Sequence, residues 1–271
     1  MPKLLVENLS KSYVQEGQRL PVLDGISFAV EPGAFVAIVG PSGCGKSTLM
    51  EIICGLEPAD AGTVAVDGKP VTGPGHVAYM PQEDLLFPWR RLIDNLIVPL
   101  QLKGVPRHAA RQEAHRWLPF FGLDGFADAY PSQLSGGMRQ RAALLRTFLT
   151  EREIIALDEP FGALDAHTRR RMQVWLADVH RQMRRTVLLI THDVDEALVL
   201  ADRVVVLGPR PARVVYEADI DLPRPRDILS PAFAAYKGAV LAHLGNGEED
   251  PSAPAVAGSP PGAMAGGRRG H

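Results

Sequence analysis

The chain has 271 residues, of which 46% are hydrophobic and 22% are charged. This balance is typical of a globular protein and excludes a chain that is disordered throughout. Because 29 lysines and arginines nearly cancel 31 acidic residues, the formal net charge of −2 gives no reason to expect nucleic-acid binding. Two cysteines are too few for a disulfide framework and indicate a reducing compartment.

The N-terminal ten residues lack the apolar core of a signal peptide. The longest apolar runs, such as residues 34–39, are far shorter than the roughly 18 residues that a spanning helix needs. We therefore expect a cytosolic protein that reaches a membrane only through a partner.

The first third of the chain predicts short strands around one buried strand. Strand-like segments at residues 4–6 and 26–30 are separated by a polar stretch. Residues 34–39 form a continuous apolar run, which is typical of a strand buried on both faces. Helix-spaced apolar residues follow at 49–53, and Gly55 is expected to end that helix.

The middle of the chain is mostly helical in pattern. Strand signals at residues 63–66 and 77–80 precede helical spacing over 94–149, which prolines interrupt. After this block, strands are predicted at 154–157, 186–191 and 203–207, and helices at 166–183 and 194–201. This alternation predicts an α/β core with a mostly parallel sheet, into which a helical subdomain of about residues 94–150 is inserted.

Residues 246–271 differ from the rest in composition. Of these 26 residues, 15 are Gly, Pro or Ala, and large apolar residues are nearly absent. We expect a disordered tail here, after one folded domain over residues 1–245.

A glycine-rich loop between a predicted strand and a predicted helix fits the phosphate-binding pattern G-x-x-x-x-G-K-[ST]. Backbone N–H groups in such a loop, together with the helix N-terminus, suit a triphosphate. Lys46 would meet the β- and γ-phosphates and Ser47 would ligate Mg²⁺, whereas Cys44 is expected to act as a small filler. The candidate nucleotide contacts are Gly40, Pro41, Ser42, Gly43, Cys44, Gly45, Lys46, Ser47 and Thr48.

Two acidic residues, Asp158 and Glu159, follow the predicted buried strand 154–157. In a nucleoside triphosphatase, the first acid holds Mg²⁺ and the second polarises the attacking water. By themselves the two acids would equally fit a turn and a helix cap. The phosphate loop upstream favours the catalytic interpretation.

A second anion-binding pattern lies 89 residues after Lys46. Ser135 is a helix N-cap residue, Gly136 and Gly137 expose backbone N–H groups, and a basic helix follows. Alone, this string would indicate only a capped surface helix.

Together these strings closely resemble the nucleotide-binding subunit of ATP-binding-cassette (ABC) transporters, over about residues 4–231. The resemblance rests on six motifs in the family's order. It implies a P-loop NTPase core with a mostly parallel sheet, an N-terminal antiparallel β subdomain and an inserted α-helical signature subdomain. It implies ATP and Mg²⁺ as ligands. It also assigns adenine stacking to Tyr13, magnesium and water contacts to Gln82, a nucleotide contact to Asp165 and γ-phosphate sensing to His192.

The resemblance further implies a head-to-tail homodimer that forms on ATP binding. Each ATP would lie between the phosphate loop of one subunit and the Ser135–Gly137 signature of the other, with Glu159 as general base. A lone histidine is more often a core residue. The strand-end position of His192 and the helix start that follows it favour the sensor role. The expected partners are integral membrane permease subunits and, indirectly, a periplasmic or extracellular solute-binding protein. The chain itself is expected at the cytoplasmic face of the plasma (inner) membrane.

Several segments are similar to the importers of nitrate, sulfonate and taurine: residues 86–90, 94–95, 158–165 and 222–227. Residues 144–149 depart from the commoner pattern, so an importer of thiamine pyrimidine precursors stays open, as does an export or lipoprotein-release ATPase. A P-loop kinase or GTPase would explain neither the signature nor His192.

Four large apolar residues follow Gln82 within five positions: Leu85, Leu86, Phe87 and Trp89. A loop cannot direct all four toward one core, so we expect some to be exposed as a docking surface for the permease. The alternative is that all four pack under the helical subdomain.

Overall fold

The structure is a computed structural model that describes residues 1–162 and 164–245. The predicted disordered tail, residues 246–271, lies outside the described residues. The described strands are β1 (Leu4–Gln15), β2 (Gln18–Val30), β3 (Phe35–Val39), β4 (Ala61–Val66), β5 (Lys69–Pro70), β6 (Ala78–Met80), β7 (Ile154–Asp158), β8 (Thr186–Thr191), β9 (Arg203–Leu207) and β10 (Val214–Asp219). The described α-helices are α1 (Lys46–Ile53), α2 (Leu92–Leu96), α3 (Val98–Leu102), α4 (Arg107–Trp117), α5 (Gly136–Phe148), α6 (Ala166–Met183), α7 (Val194–Leu200) and α8 (Pro231–Gly245).

The larger sheet has the strand order β10-β9-β3-β8-β7-β6. Its inner strands pair in parallel, and β10 pairs antiparallel with β9 at one edge. Every residue of β3, β7 and β8 is buried, as the continuous apolar runs predicted. Alternate residues of β3 enter the two hydrophobic cores on opposite faces of the sheet. Because parallel strands share their carboxyl edge, the loops after β3, β7 and β8 meet there.

The smaller sheet is antiparallel, with the order β2-β1-β4-β5. The strands predicted at residues 4–6 and 26–30 are much longer in the structure, because the polar stretch between them continues both strands as a hairpin. Glu16 and Gly17 form its tip, both with positive φ, at 51° and 78°. The prediction was too short because this hairpin extends into solvent, so its residues lack the apolar alternation of a half-buried strand.

The stretch between β6 and β7 carries four α-helices, as the sequence predicted. Of the four prolines expected to break it, three mark beginnings: Pro99 lies in the first turn of α3, Pro106 caps α4, and Pro131 opens a 3₁₀ turn. Proline fits these three positions because the first helical turn leaves its N–H groups unpaired. The fourth, Pro119, lies in the turn that follows α4. The fold class expected from the sequence is therefore confirmed, with its parallel sheet, antiparallel sheet and helical insertion.

Sequence analysis missed two C-terminal elements, β10 and α8. The edge strand β10 is only half-buried and shows no clear alternation. The alanine-rich α8 packs on α7 and β9 and buries Phe233 and Val240. Among the described residues, no helix is both long and apolar enough to cross a membrane.

Candidate nucleotide site

The loop between β3 and α1 is shaped by glycines in left-handed conformations. Gly43 has φ of 73° and Gly45 has φ of 118°. A Cβ atom on Gly45 would lie 2.7 Å from Val22 Cγ1. A side chain at this position is therefore excluded both by that clash and by the positive φ. Lys46 begins α1 and is almost fully buried, and its Nζ donates to the carbonyls of Gly40 and Pro41, each at 2.9 Å. The loop therefore holds an ammonium at its centre, between its own backbone groups.

Asp158, the last residue of β7, lies buried behind this loop. Burial raises the pKa of its carboxyl, and contacts with the hydroxyls of Ser47 and Tyr79 act in the opposite direction. The Tyr79 hydroxyl lies 3.4 Å from Asp158 Oδ2. A buried carboxylate beside a serine hydroxyl is a set of hard oxygen donors, which fits Mg²⁺. The predicted pairing of Ser47 with Asp158 is therefore chemically suited to that ion.

Three predicted catalytic side chains meet at the carboxylate of Glu159. Gln82 Nε2 donates to Glu159 Oε2 at 3.3 Å, and His192 Nδ1 lies 3.2 Å from Glu159 Oε1. The backbone of Glu159 is left-handed, with φ of 46°, and its N–H donates to the carbonyl of Ile190 at 2.9 Å. The turn after β7 thus directs this side chain toward the loops that follow β6 and β8.

These groups surround one open cleft of about 640 Å³. The predicted residues that line it are Tyr13, Ser42, Gly43, Gly45, Lys46, Ser47, Thr48, Gln82, Glu159 and His192. Sequence analysis missed Gln15, Leu20, Val22 and Arg210, which complete the walls. Tyr13 pairs with Leu20 across the β1–β2 hairpin, so recognising that hairpin would have found most of them. No short-range pattern signals Arg210.

The signature residues lie on a different part of the surface from the Lys46 cleft. Ser135 caps α5 and its Oγ accepts from the N–H of Met138 at 3.3 Å, with Gly136 and Gly137 in the first turn. Asp165 caps α6 by accepting from the N–H groups of His167 and Thr168, at 3.1 and 3.0 Å. Bonding to Thr168 and to the helix start lowers the pKa of Asp165.

These four residues line a second cavity of about 640 Å³, whose lining is distinct from that of the Lys46 cleft. The structure therefore brings Asp165 to the signature and does not bring either to the phosphate loop. Neighbouring walls of the second cavity carry the aromatic side chains Phe120, Phe121 and Trp175.

The segment that follows Gln82 divides its apolar side chains between core and solvent. Leu86 is buried and Phe87 is half-buried, whereas Leu85 and Trp89 are 55% and 71% exposed. Burial of all four is therefore wrong, and the expectation that some are exposed is correct.

The same segment is attached to the signature helix α5 by two arginines. Arg139 Nε donates to Asp84 Oδ2 at 3.0 Å, and Arg146 donates to the carbonyls of Asp84 and Leu85, both at 2.7 Å. Sequence analysis missed this attachment, because the partners are more than 50 residues apart.

Sequence comparisons identify the family of the chain. The family model described as "ABC transporter" matches residues 23–162. An uncharacterized ABC transporter ATP-binding protein of Methanocaldococcus jannaschii is 46% identical over 88% of this chain and 90% of its own length. The aliphatic sulfonates import ATP-binding protein SsuB of Bacillus subtilis is 40% identical over 88% of this chain and 93% of its own. The taurine import ATP-binding protein TauB of Pseudomonas aeruginosa is 42% identical over 83% and 86%.

Solved structures of ABC cassettes have the same fold as this chain. A dimeric bacterial ABC transporter cassette matches with a TM-score of 0.73 and 28% identity, over 80% of this chain and 98% of that one. A dimeric ATP-binding cassette in a post-hydrolysis state, bound to ADP and Pi, matches with a TM-score of 0.72 and 27% identity, over the same shares. The resemblance found in the motifs is confirmed, and the chain belongs to the ABC transporter family.

Proposed function

We propose that the chain is the ATP-hydrolysing subunit of an ABC importer for aliphatic sulfonates or taurine. The observation that carries the ATPase role is the Glu159 carboxylate, which meets Gln82 and His192 at the cleft that holds the phosphate loop. The cargo class rests on the names of the SsuB and TauB relatives. These names support sulfonate import over a pyrimidine-precursor importer or an export ATPase.

The phosphate loop would bind the triphosphate. Lys46 would exchange its bonds to the loop carbonyls for charge-assisted bonds to phosphate oxygens, while the α1 N-terminus adds its positive dipole end. Tyr13 and the hairpin wall would receive the adenine. Ser47, Asp158 and Gln82 are the residues that would hold Mg²⁺, which when bound compensates phosphate charge.

Glu159 would accept the proton of the attacking water. Its carboxylate lies at the cleft, and Gln82 and His192 are within hydrogen-bonding distance of it, so both can fix its orientation. His192 would in addition face the γ-phosphate. Chemistry would therefore depend on loops from three neighbouring strands keeping their relative positions.

The signature would act on a second copy of the chain. A triphosphate on the Lys46 loop needs more anion-binding groups than its own cleft supplies, and Ser135, Gly136 and Gly137 present such groups on another surface. A head-to-tail homodimer satisfies both surfaces at once, with Asp165 at the same interface. The dimeric state of the matching cassettes supports this arrangement.

The permease would dock on Leu85 and Trp89, the exposed apolar residues beyond Gln82. The chain would then be a peripheral subunit at the cytoplasmic face of the membrane, with an extracellular solute-binding protein as indirect partner. In this proposal residues 1–245 form the ATPase domain, including the helical subdomain at about 94–150.

Docking is tested by Trp89→Ala in the purified chain and in the assembled transporter. We expect normal basal ATPase activity, because Trp89 does not line the cleft, together with loss of permease binding and transport. Leu241→Ala, another exposed apolar residue, is the matched control and should assemble normally. Normal assembly of Trp89→Ala would contradict the docking surface.

Cargo is tested by growth on a single sulfur source. A host strain that lacks this chain should fail on taurine or hexanesulfonate and grow on sulfate. Restoring the wild-type chain should restore growth, whereas Lys46→Ala should not. Growth of the deletion strain on both sulfonates would contradict the cargo while leaving the ATPase role intact.

A further inference from the structure

A third cavity, separate from the nucleotide cleft and from the signature cavity, lies at the end of the parallel sheet opposite the phosphate loop. Its volume is about 850 Å³, within the usual range for small-molecule sites. Gly33 precedes β3, Arg184 precedes β8 and Asp202 precedes β9, so these lining residues stand at the amino ends of three parallel strands. Five residues of strand span about 17 Å, which separates this cavity from the nucleotide cleft at the carboxyl ends.

The charge of the cavity is strongly unbalanced. Five arginines line it against two aspartates: Arg170, Arg181, Arg184, Arg224 and Arg226, with Asp178 and Asp202. Both aspartates already form ion pairs, since Arg181 pairs with Asp178 and Arg224 Nη2 lies 2.8 Å from Asp202 Oδ1. Among the described residues, Arg170 and Arg184 have no ion-pair partner. Burial lowers the pKa of the His180 imidazole, which favours its neutral form, and a neutral imidazole leaves the balance of arginines and aspartates unchanged.

Arg226 adds a further positive charge, and within residues 1–162 and 164–245 it forms no ion pair, although the Asp202 carboxylate lies near enough to raise its pKa. Its guanidinium donates to the carbonyls of Leu198 and Ala201 at the end of α7, and to that of Ile220 at 3.0 Å. Burial lowers its pKa to about 10. The cavity is therefore held positive by groups that the fold itself fixes in place.

The remaining lining is mostly apolar, with Gln173 as a neutral polar side chain. Val174 and Ala177 face the cavity from α6, and Val199, Pro225 and Ile228 face it from α7 and the segment that follows β10. Arg170, Val174, Ala177 and Arg181 recur at helical spacing, so α6 presents one stripe with guanidinium groups at both ends and apolar side chains between them. Such a wall matches a molecule with an anionic head and a short apolar body.

We propose that this cavity binds a small organic oxyanion, an alkanesulfonate or alkanoate, at a site separate from the nucleotide cleft. Arg184, at the C-terminal end of α6, holds the anionic head. The apolar side chains of Ala177 and Val174 receive the alkyl chain, which points toward Arg170. The inference rests on the cavity's charge and shape and does not depend on the transported solute. Sulfonate and carboxylate share this chemistry but have different sources, one being the proposed cargo and the other a metabolic acid.

Calorimetric titration of the full chain in saturating MgATP tests the proposal. Hexanesulfonate, hexanoate or both should bind, and sulfate and hexylammonium should bind about tenfold more weakly or worse, since each lacks one half of the recognised chemistry. Tighter binding of hexanesulfonate than of hexanoate assigns the site to cargo sensing, and the reverse assigns it to a metabolic acid. Undetectable binding of both at millimolar concentration overturns the proposal, as does binding that is detected only when MgATP is left out.

Substitutions in the cavity lining test whether the anion binds in this cavity. Arg170→Glu combined with Arg184→Glu should weaken hexanesulfonate by about tenfold or more, and Val174→Asp should weaken it independently from the apolar wall. Arg152→Glu, an exposed arginine outside the cavity, is the matched charge-reversal control and should bind normally. Basal ATPase activity and melting temperature verify that each variant is folded. Unchanged affinity in the folded double variant overturns the proposal.

Discussion

The phosphate-loop cleft and the signature cavity differ in what their residues can do. The cleft collects a buried lysine, a glutamate, an amide and an imidazole from the loops after four strands, with Asp158 buried behind the phosphate loop, so it has the groups for both binding and proton transfer. The signature cavity offers a capped helix start and two glycines, whose backbone N–H groups can bind an anion, while the Asp165 carboxylate is bonded to the first N–H groups of α6. Neither surface alone carries all the groups of the proposed ATP site, and this difference supports our proposal that the working unit contains two chains.

The largest effect on turnover is expected at Glu159, a residue of the phosphate-loop cleft. Glu159→Gln should lower turnover by about 100-fold or more, because the amide cannot accept the proton of the attacking water. ATP binding should persist, since Gln82 and Lys46 are unchanged. Steady-state ATPase assays measure this, with Glu83→Gln as the control on the same loop as Gln82. Turnover within a few-fold of wild type would assign the base elsewhere.

A second way to separate the two surfaces is to remove the cation of the phosphate loop. Lys46→Ala should weaken ATP affinity about tenfold or more, because charge-assisted bonds to the phosphates are lost. Isothermal titration measures it. Lys69→Ala, on the exposed strand β5, should bind normally. If Lys46→Ala retains full affinity while folded, the cleft is not the primary nucleotide site.

The smallest effect on turnover is expected at Glu196, a buried residue of α7 just beyond the His192 loop. Burial raises the pKa of its carboxyl from 4.5 to about 8, and Thr191 donates to it at 2.8 Å. Between these values the unfolded chain releases a proton that the folded chain keeps, so stability falls as pH rises. Each pH unit in that window costs about 1.4 kcal/mol from this group.

Glu196→Gln keeps an acceptor for Thr191 and removes the titration. The variant's unfolding free energy should be less dependent on pH between 5 and 8, and higher than wild type at pH 8. Denaturant titrations across that range measure it, and Glu83→Gln should follow the wild-type profile. An unchanged slope in Glu196→Gln would show that this carboxyl is not held neutral.

Local sequence pattern was sufficient for the parallel core and for the cleft's central residues. Strands such as β3 and β7 are apolar throughout, and the groups that follow them must meet at one edge because parallel strands share it. The long β1–β2 hairpin was not predictable in this way, since its solvent-exposed end lacks an apolar face. The Asp84–Arg139 contact and the position of Arg210 depend on packing between distant segments, which no local pattern records.

The most direct test of the shared ATP site is the solution mass of Glu159→Gln with MgATP, measured by light scattering on a sizing column. Slow turnover should trap the closed state, so the variant should elute at twice the monomer mass with ATP and at the monomer mass without it. Adding Ser135→Arg should return it to a monomer that still binds ATP, because the arginine disrupts only the surface offered to the partner. An ATP-bound Glu159→Gln monomer, or a dimer that survives Ser135→Arg, would contradict the account.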